Sequence, residues 1–186
     1  MFRSASSTSI SEAVERLRSR DPILKQINLR NKSCTDVDLN DLVDCLLAHP
    51  DVVEHLYLGK NLLTDKTGLK LAQYVAASTT IEHLAISGNQ FTEVTHLAMA
   101  TALRVNTSLR KLSMYNYNSM ISEPQIDAAF IDALRLNPNR AVNSEWYLSW
   151  RSSVFFDCDF WRLKAKAEEL GHPSLQAMLA MRVFGP

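Results

Sequence analysis

The stretch VEHLYLGKN at residues 53–61 returns 28 residues later as IEHLAISGN at 81–89: an apolar residue, Glu-His-Leu, an apolar sixth place and a closing Asn. LKQINLRNK opens at Leu24 and LRKLSMYNY at Leu109, so the pattern occurs four times at intervals of 29, 28 and 28 residues. A catalytic motif has no reason to be written four times along one chain. A unit that cannot bury its own apolar face does, because stacking on copies of itself closes the core.

Within each unit the first, fourth and sixth places are apolar, as in Leu24, Ile27 and Leu29 or Val53, Leu56 and Leu58. Places four and six are two apart, which in a strand puts both on one face. A second element follows every strand. Thr35-Asp36, Thr64-Asp65, Thr92-Glu93 and Ser122-Glu123 each set a hydroxyl N-cap before an acidic first turn, which satisfies an orphan N–H and complements the positive helix end. Apolar residues then recur at helical spacing, for example Leu69, Ala72, Val75 and Ala76, or Leu97, Ala100 and Leu103. Two of these helices end alike, in ALRVN at 102–106 and ALRLN at 133–137.

Strand, turn and helix at this period resemble the leucine-rich repeat in its long, ribonuclease-inhibitor-like form, over residues 22–137. The resemblance implies an α/β fold: a right-handed solenoid with parallel strands on the concave face and helices on the convex face. It also implies that Asn61 and Asn89 turn inward and tie neighbouring turns through side-chain hydrogen bonds. Lys32 and Tyr117 stand where the first and fourth units would carry that Asn, and terminal repeats are commonly atypical.

Two unlike caps complete one structural domain. In residues 1–21, Ser9-x-x-Glu12 reads as a capping box before a helical face of Ile10, Ala13, Val14 and Leu17, with Asp21-Pro22 as its stop. Residues 138–186 lose the motif. A fifth strand would need apolar residues near Arg140 and Asn143, and eight of the fifteen aromatics lie beyond residue 140. An irregular aromatic segment and a helix from about Asp159 to Leu170 are expected, closed by Gly171 and followed by a last helix near Ser174.

Composition narrows the function classes. Lys plus Arg equal Asp plus Glu at 20 each, whereas nucleic-acid binders usually carry a basic excess. Three cysteines, Cys34, Cys45 and Cys158, make no CxxC pair and fit a reducing compartment. No apolar run approaches the roughly 18 to 20 residues of a membrane span, and the opening MFRSASSTSISEA lacks the apolar stretch of a secretory signal. A cytoplasmic monomer is the expectation.

Enzyme constellations fare poorly. His55 and His83 share a repeat place on adjacent strands, with Glu54 and Glu82 beside them. Alternation puts each Glu on the other side of the strand, and two ligands do not complete a zinc site. Cys45 and His49 are one helical turn apart, yet Cys45 lies between Leu42 and Leu46 and reads as a small core residue. Cys158 sits between two aspartates, which would raise a thiol pKa. No phosphate loop, dinucleotide fingerprint or nucleophile elbow occurs. The chain is expected to be no enzyme and to use no cofactor or metal.

What remains is a surface. The third, fifth and seventh places face the inner curve: Gln26, Asn28 and Arg30; His55, Tyr57 and Gly59; His83, Ala85 and Ser87; Lys111, Ser113 and Tyr115. Aromatic and basic side chains of this kind are enriched at interface hot spots. Arg30, His55, Tyr57, His83, Lys111 and Tyr115 are therefore the expected partner-binding set. Tyr117, Trp146 and Trp150 extend it along the C-terminal aromatic rim. The sequence thus reads as a non-enzymatic protein-binding module, of a size to cover an enzyme's active site as an inhibitor or a bacterial effector does. The alternative is a cytoskeletal capping protein resembling the tropomodulin C-terminal domain, or an adaptor or scaffold.

Overall fold

The computed structural model describes residues 9–114, 123–136 and 147–149. Five short strands, β1 (Gln26–Asn28), β2 (His55–Tyr57), β3 (His83–Ala85), β4 (Lys111–Ser113) and β5 (Tyr147–Ser149), form one sheet in sequence order. Every neighbouring pair is parallel. Helices α1 (Ile10–Arg18), α2 (Asp36–Ala48), α3 (Asp65–Ala77), α4 (Glu93–Leu103) and α5 (Glu123–Leu136) run beside it, each packed against the next.

The register is the repeat made visible. Ile27, Leu56, Leu84 and Leu112 pair in line across four strands, and all are buried. The sixth places, Leu29, Leu58, Ile86 and Met114, and the first places, Leu24, Val53, Ile81 and Leu109, are buried with them. One continuous core results, which no single turn could close.

Asn61 and Asn89 hold that stack from inside. Asn61 Nδ2 donates to the Leu29 and Leu58 carbonyls, both at 2.9 Å, while its Oδ1 accepts from the N–H groups of Lys32 and Cys34. Asn89 Nδ2 donates to Leu58 at 3.1 Å and Ile86 at 2.7 Å, and its Oδ1 accepts from Leu63 N–H. Each amide satisfies backbone groups of its own turn and the one before, which a buried turn needs. Tyr117 lies outside the described residues.

Two further ties had no reading in the sequence. Asn106, which ends the ALRVN stretch, donates to the Val75 and Ser78 carbonyls and accepts from Ser108 and Leu109 N–H. Ser78, one repeat earlier, does the same work with a hydroxyl, donating to the Pro50 carbonyl and accepting from Ile81 N–H. At the helix starts, Asp36 accepts from both the N–H and the hydroxyl of Thr64, and Asp65 does so from Thr92. The acidic first turn therefore bonds to the next helix's N-cap as well as complementing its own dipole.

Three expectations change. A fifth strand exists: Leu148 pairs with Leu112, 36 residues on instead of 28, so it lies beyond the places near Arg140 and Asn143 that the period predicts. The buried stripe of α3 is Thr67, Gly68, Leu71, Ala72, Tyr74 and Val75. Leu69 is 40% exposed and Ala76 is exposed, because the helix is rolled to bring Gly68 against Thr95. A Cβ on Gly68 would lie 2.1 Å from Thr95 Oγ1. Finally, α1 stops at Arg18, through Arg20 at φ 51° rather than through Pro22. Arg20 and Asp21 N–H groups close on the Leu17 and Arg16 carbonyls, the usual left-handed helix end.

Ser9 Oγ accepts from Glu12 N–H at 3.1 Å, one of the two bonds of a capping box, while the Glu12 carboxylate pairs with Arg16 at 3.9 Å; Ala13, Val14 and Leu17 are buried. Cys45 is buried between Leu42 and Leu46, as its place in α2 implied. No helix among the described residues is long and apolar enough to cross a membrane.

Candidate protein-interaction surface

Because places four and six bury their side chains, places three and five must point the other way. The sheet register lines up Gln26, His55, His83, Lys111 and Tyr147 in one row and Asn28, Tyr57, Ala85, Ser113 and Ser149 in the next. Arg30 follows two residues beyond Asn28, on a backbone still bonded to its neighbour: Leu29 N–H reaches the Tyr57 carbonyl at 2.8 Å and Asn31 N–H that of Gly59 at 3.0 Å.

Four of the expected residues meet as one cluster. The Arg30 guanidinium carbon sits 4.5 Å from the centre of the Tyr57 ring, within cation–π range. The Tyr57 and His83 rings are edge to face with centroids 4.9 Å apart, and Tyr57 Oη hydrogen-bonds His83 Nδ1 at 3.2 Å. His55 lies 6.4 Å from Tyr57 and 6.3 Å from His83, ring to ring. Burial, followed by the nearby charges of Lys111, His55 and Arg30, pushes the His83 pKa down to about 4. His83 is thus neutral at pH 7, and Arg30 and Lys111 bring positive charge to its surroundings.

Exposure divides the set. Arg30 and Lys111 are exposed, while His55, Tyr57 and His83 are half-buried. Tyr57 faces the inner curve as expected but only half-exposed: the Arg30 guanidinium over its ring and the His83 ring edge to face with it fix its orientation before any partner arrives. Ala85 is buried, and the floor beyond it is tight, since a Cβ on Gly59 would lie 3.1 Å from the Ser87 carbonyl oxygen. Ser87 and Ser113 hydroxyls bond to each other at 2.7 Å. Tyr115, Tyr117, Trp146 and Trp150 lie outside the described residues.

The His55–His83 pair gains no third ligand: among the described residues, no group of three or more His, Cys, Asp or Glu comes together. Glu54 and Glu82, placed off this face by alternation, pair with Lys25 at 2.9 Å and Arg110 at 3.9 Å. The arrangement offers a preoriented aromatic ring, two cations and neutral polar groups, the equipment of a protein-binding face.

No family profile and no curated protein sequence matches the chain. Solved structures do. Leiomodin-1 actin-binding site 2 superposes with a TM-score of 0.67 at 20% identity, over 94% of this chain and 95% of that one. The tropomodulin C-terminal domain of Caenorhabditis elegans follows with a TM-score of 0.52 at 18% identity, over 72% of this chain and 95% of that one. The fold is leucine-rich-repeat-like. These likenesses support that architecture and do not carry the ribonuclease-inhibitor-like subfamily expected from repeat length.

Proposed function

We propose that this chain is a non-enzymatic, actin-binding module of the cytoskeletal kind, working in the cytoplasm and engaging its partner through the inner curve of the sheet. The observation that carries this reading is the match to leiomodin-1 actin-binding site 2 across nearly the whole of both chains. It favours the cytoskeletal alternative over an enzyme inhibitor or a bacterial effector, for which no observation speaks. In this reading α1 and the segment from residue 138 onward are the two caps of a right-handed solenoid, the hand that parallel β–α–β connections almost always take.

The inner curve suits the role physically. Arg30 and Tyr57 are the residue types that dominate interface energetics, and Tyr57 is already held in place, so binding orders little that was free. Tyr115, Tyr117, Trp146 and Trp150 belong to the proposed partner-binding set by their place in the sequence alone.

Co-sedimentation with polymerised actin tests it. The protein is expected to pellet with filaments in a saturable manner and to remain in the supernatant without them. A protein that stays in the supernatant at every actin concentration contradicts the reading.

A further inference from the structure

Charge is distributed unequally between the two edges of the sheet. At the edge where the strands begin, two of three basic residues pair with an adjacent turn, Lys25 with Glu54 and Arg110 with Glu82, and Lys111 is exposed without an ion-pair partner among the described residues. At the edge where the strands end, Arg30, Lys32 and Lys60 are all exposed. None of the three has an ion-pair partner among the described residues. The carboxylates that follow nearby are already occupied, Asp36 by Thr64, Asp38 by Thr35 and Asp65 by Thr92.

The two lysines also depart from the repeat. Lys32 takes the place held by Asn61 and Asn89 in the next turns. Lys60 takes the place of Asn31 and Gly88, where all three residues adopt left-handed backbone, at φ 58°, 54° and 71°. Asn and Gly tolerate that conformation far better than Lys. They sit on adjacent turns, with Lys32 N–H bonded to Asn61 Oδ1 at 3.0 Å, one residue from Lys60. Uncompensated like charges within a Debye length repel one another, and a bound anion relieves that repulsion.

We infer that Arg30, Lys32 and Lys60 form a docking edge for an acidic segment, a run of Asp and Glu side chains in the protein partner. Arg30, its guanidinium carbon over the Tyr57 ring and without an ion-pair partner among the described residues, has N–H donors to offer a carboxylate in bidentate contact, and the lysines supply point charges beside it. This inference rests on the protein-binding reading above and adds the chemistry of what is recognised.

The test uses a hexa-glutamate peptide as probe, with binding measured by fluorescence anisotropy at low and physiological salt. The comparison variant is Lys32→Asn with Lys60→Asn, which installs the residue the repeat already uses at both places, so the fold is expected to survive. Circular dichroism confirms that it does. The parent should bind the peptide in a salt-sensitive manner, and the double variant about tenfold more weakly with a shallower salt dependence. Arg30→Gln should weaken binding again. A parent that does not bind the peptide overturns the inference, as does a folded double variant that binds as tightly as the parent. Actin co-sedimentation of the parent is scored separately. Pelleting without peptide binding removes the acidic docking edge and leaves the actin reading. Peptide binding without pelleting removes actin and leaves the edge.

Discussion

The carboxylate of Asp36 accepts the Thr64 backbone N–H at 3.0 Å and the Thr64 hydroxyl at 2.6 Å, joining the first turn of one helix to the N-cap of the next. Asp65 repeats this with Thr92 and adds the Thr95 hydroxyl. Burial alone would raise both carboxyl pKa values, but the threonine hydroxyls and N–H groups together lower them. A depressed carboxylate pKa contributes stability that is present above the unfolded value, near 3.8, and is lost as pH falls through the folded one. Asp65→Asn should therefore lower the melting temperature at pH 7 and flatten its decline below about pH 4. Thermal melts from pH 7 to pH 2 check both.

His83 titrates in a higher window. Its folded pKa of about 4 lies below the unfolded 6.5, so the unfolded chain binds the extra proton between those values. Stability should fall as pH drops from about 6.5 toward about 4, ahead of the carboxylate loss. Two-dimensional NMR should find the His83 ring titrating near 4, and His83→Gln should remove that part of the pH dependence. A ring titrating near 6.5 would contradict the clustered geometry with Tyr57.

Gly68→Ala separates tertiary packing from helix propensity. In an exposed helix the change stabilises, but here the new methyl would lie 2.1 Å from Thr95 Oγ1. Denaturant unfolding should show a loss of about 1 to 3 kcal/mol. In combination with Thr95→Ala the penalty should be smaller than the sum of the two single losses, since each change touches the same space.

Leu84→Ala tests the shared core. Leu84 is fully buried between Leu56 and Leu112, and its truncation should cost about 2 to 5 kcal/mol by chemical denaturation.

Asn89→Ala should cost about 1 to 3 kcal/mol, because it strands the Ile86 carbonyl and Leu63 N–H and removes one of the two side-chain bonds to the Leu58 carbonyl. Partner affinity of the folded variant should be unchanged, since Asn89 is buried away from the inner curve. An affinity that collapses while the melting temperature holds would move Asn89 into the binding site.

These cases also show how far the sequence could be read. Period and register were legible because Ile27, Leu56, Leu84 and Leu112 are apolar at one repeat place, and apolarity is what burial selects. The Asn61 and Asn89 ties were legible through the recurring motif. The Asp36–Thr64 tie was hidden because an acidic N-terminal helix residue has a sufficient local explanation in the helix dipole. β5 was hidden by the longer excursion between Leu112 and Leu148, and the roll of α3 by a single small residue, Gly68. Within the site, alternation identified the shared face of His55, Tyr57 and His83. It could not give their rings' mutual clamp, which depends on side-chain torsions. Lys60 escaped notice because its significance is a left-handed backbone that residue type does not announce.

The affinity for polymerised actin, measured for the parent and for Arg30→Ala with Tyr57→Ala, tests the central claim most directly. If the inner curve is the binding face, the parent binds saturably. The double variant, folded by circular dichroism, should bind roughly 30-fold more weakly or worse, the loss of about 2 kcal/mol or more expected at a hot spot. A parent that never saturates, or a folded variant that binds as tightly as the parent, would contradict it.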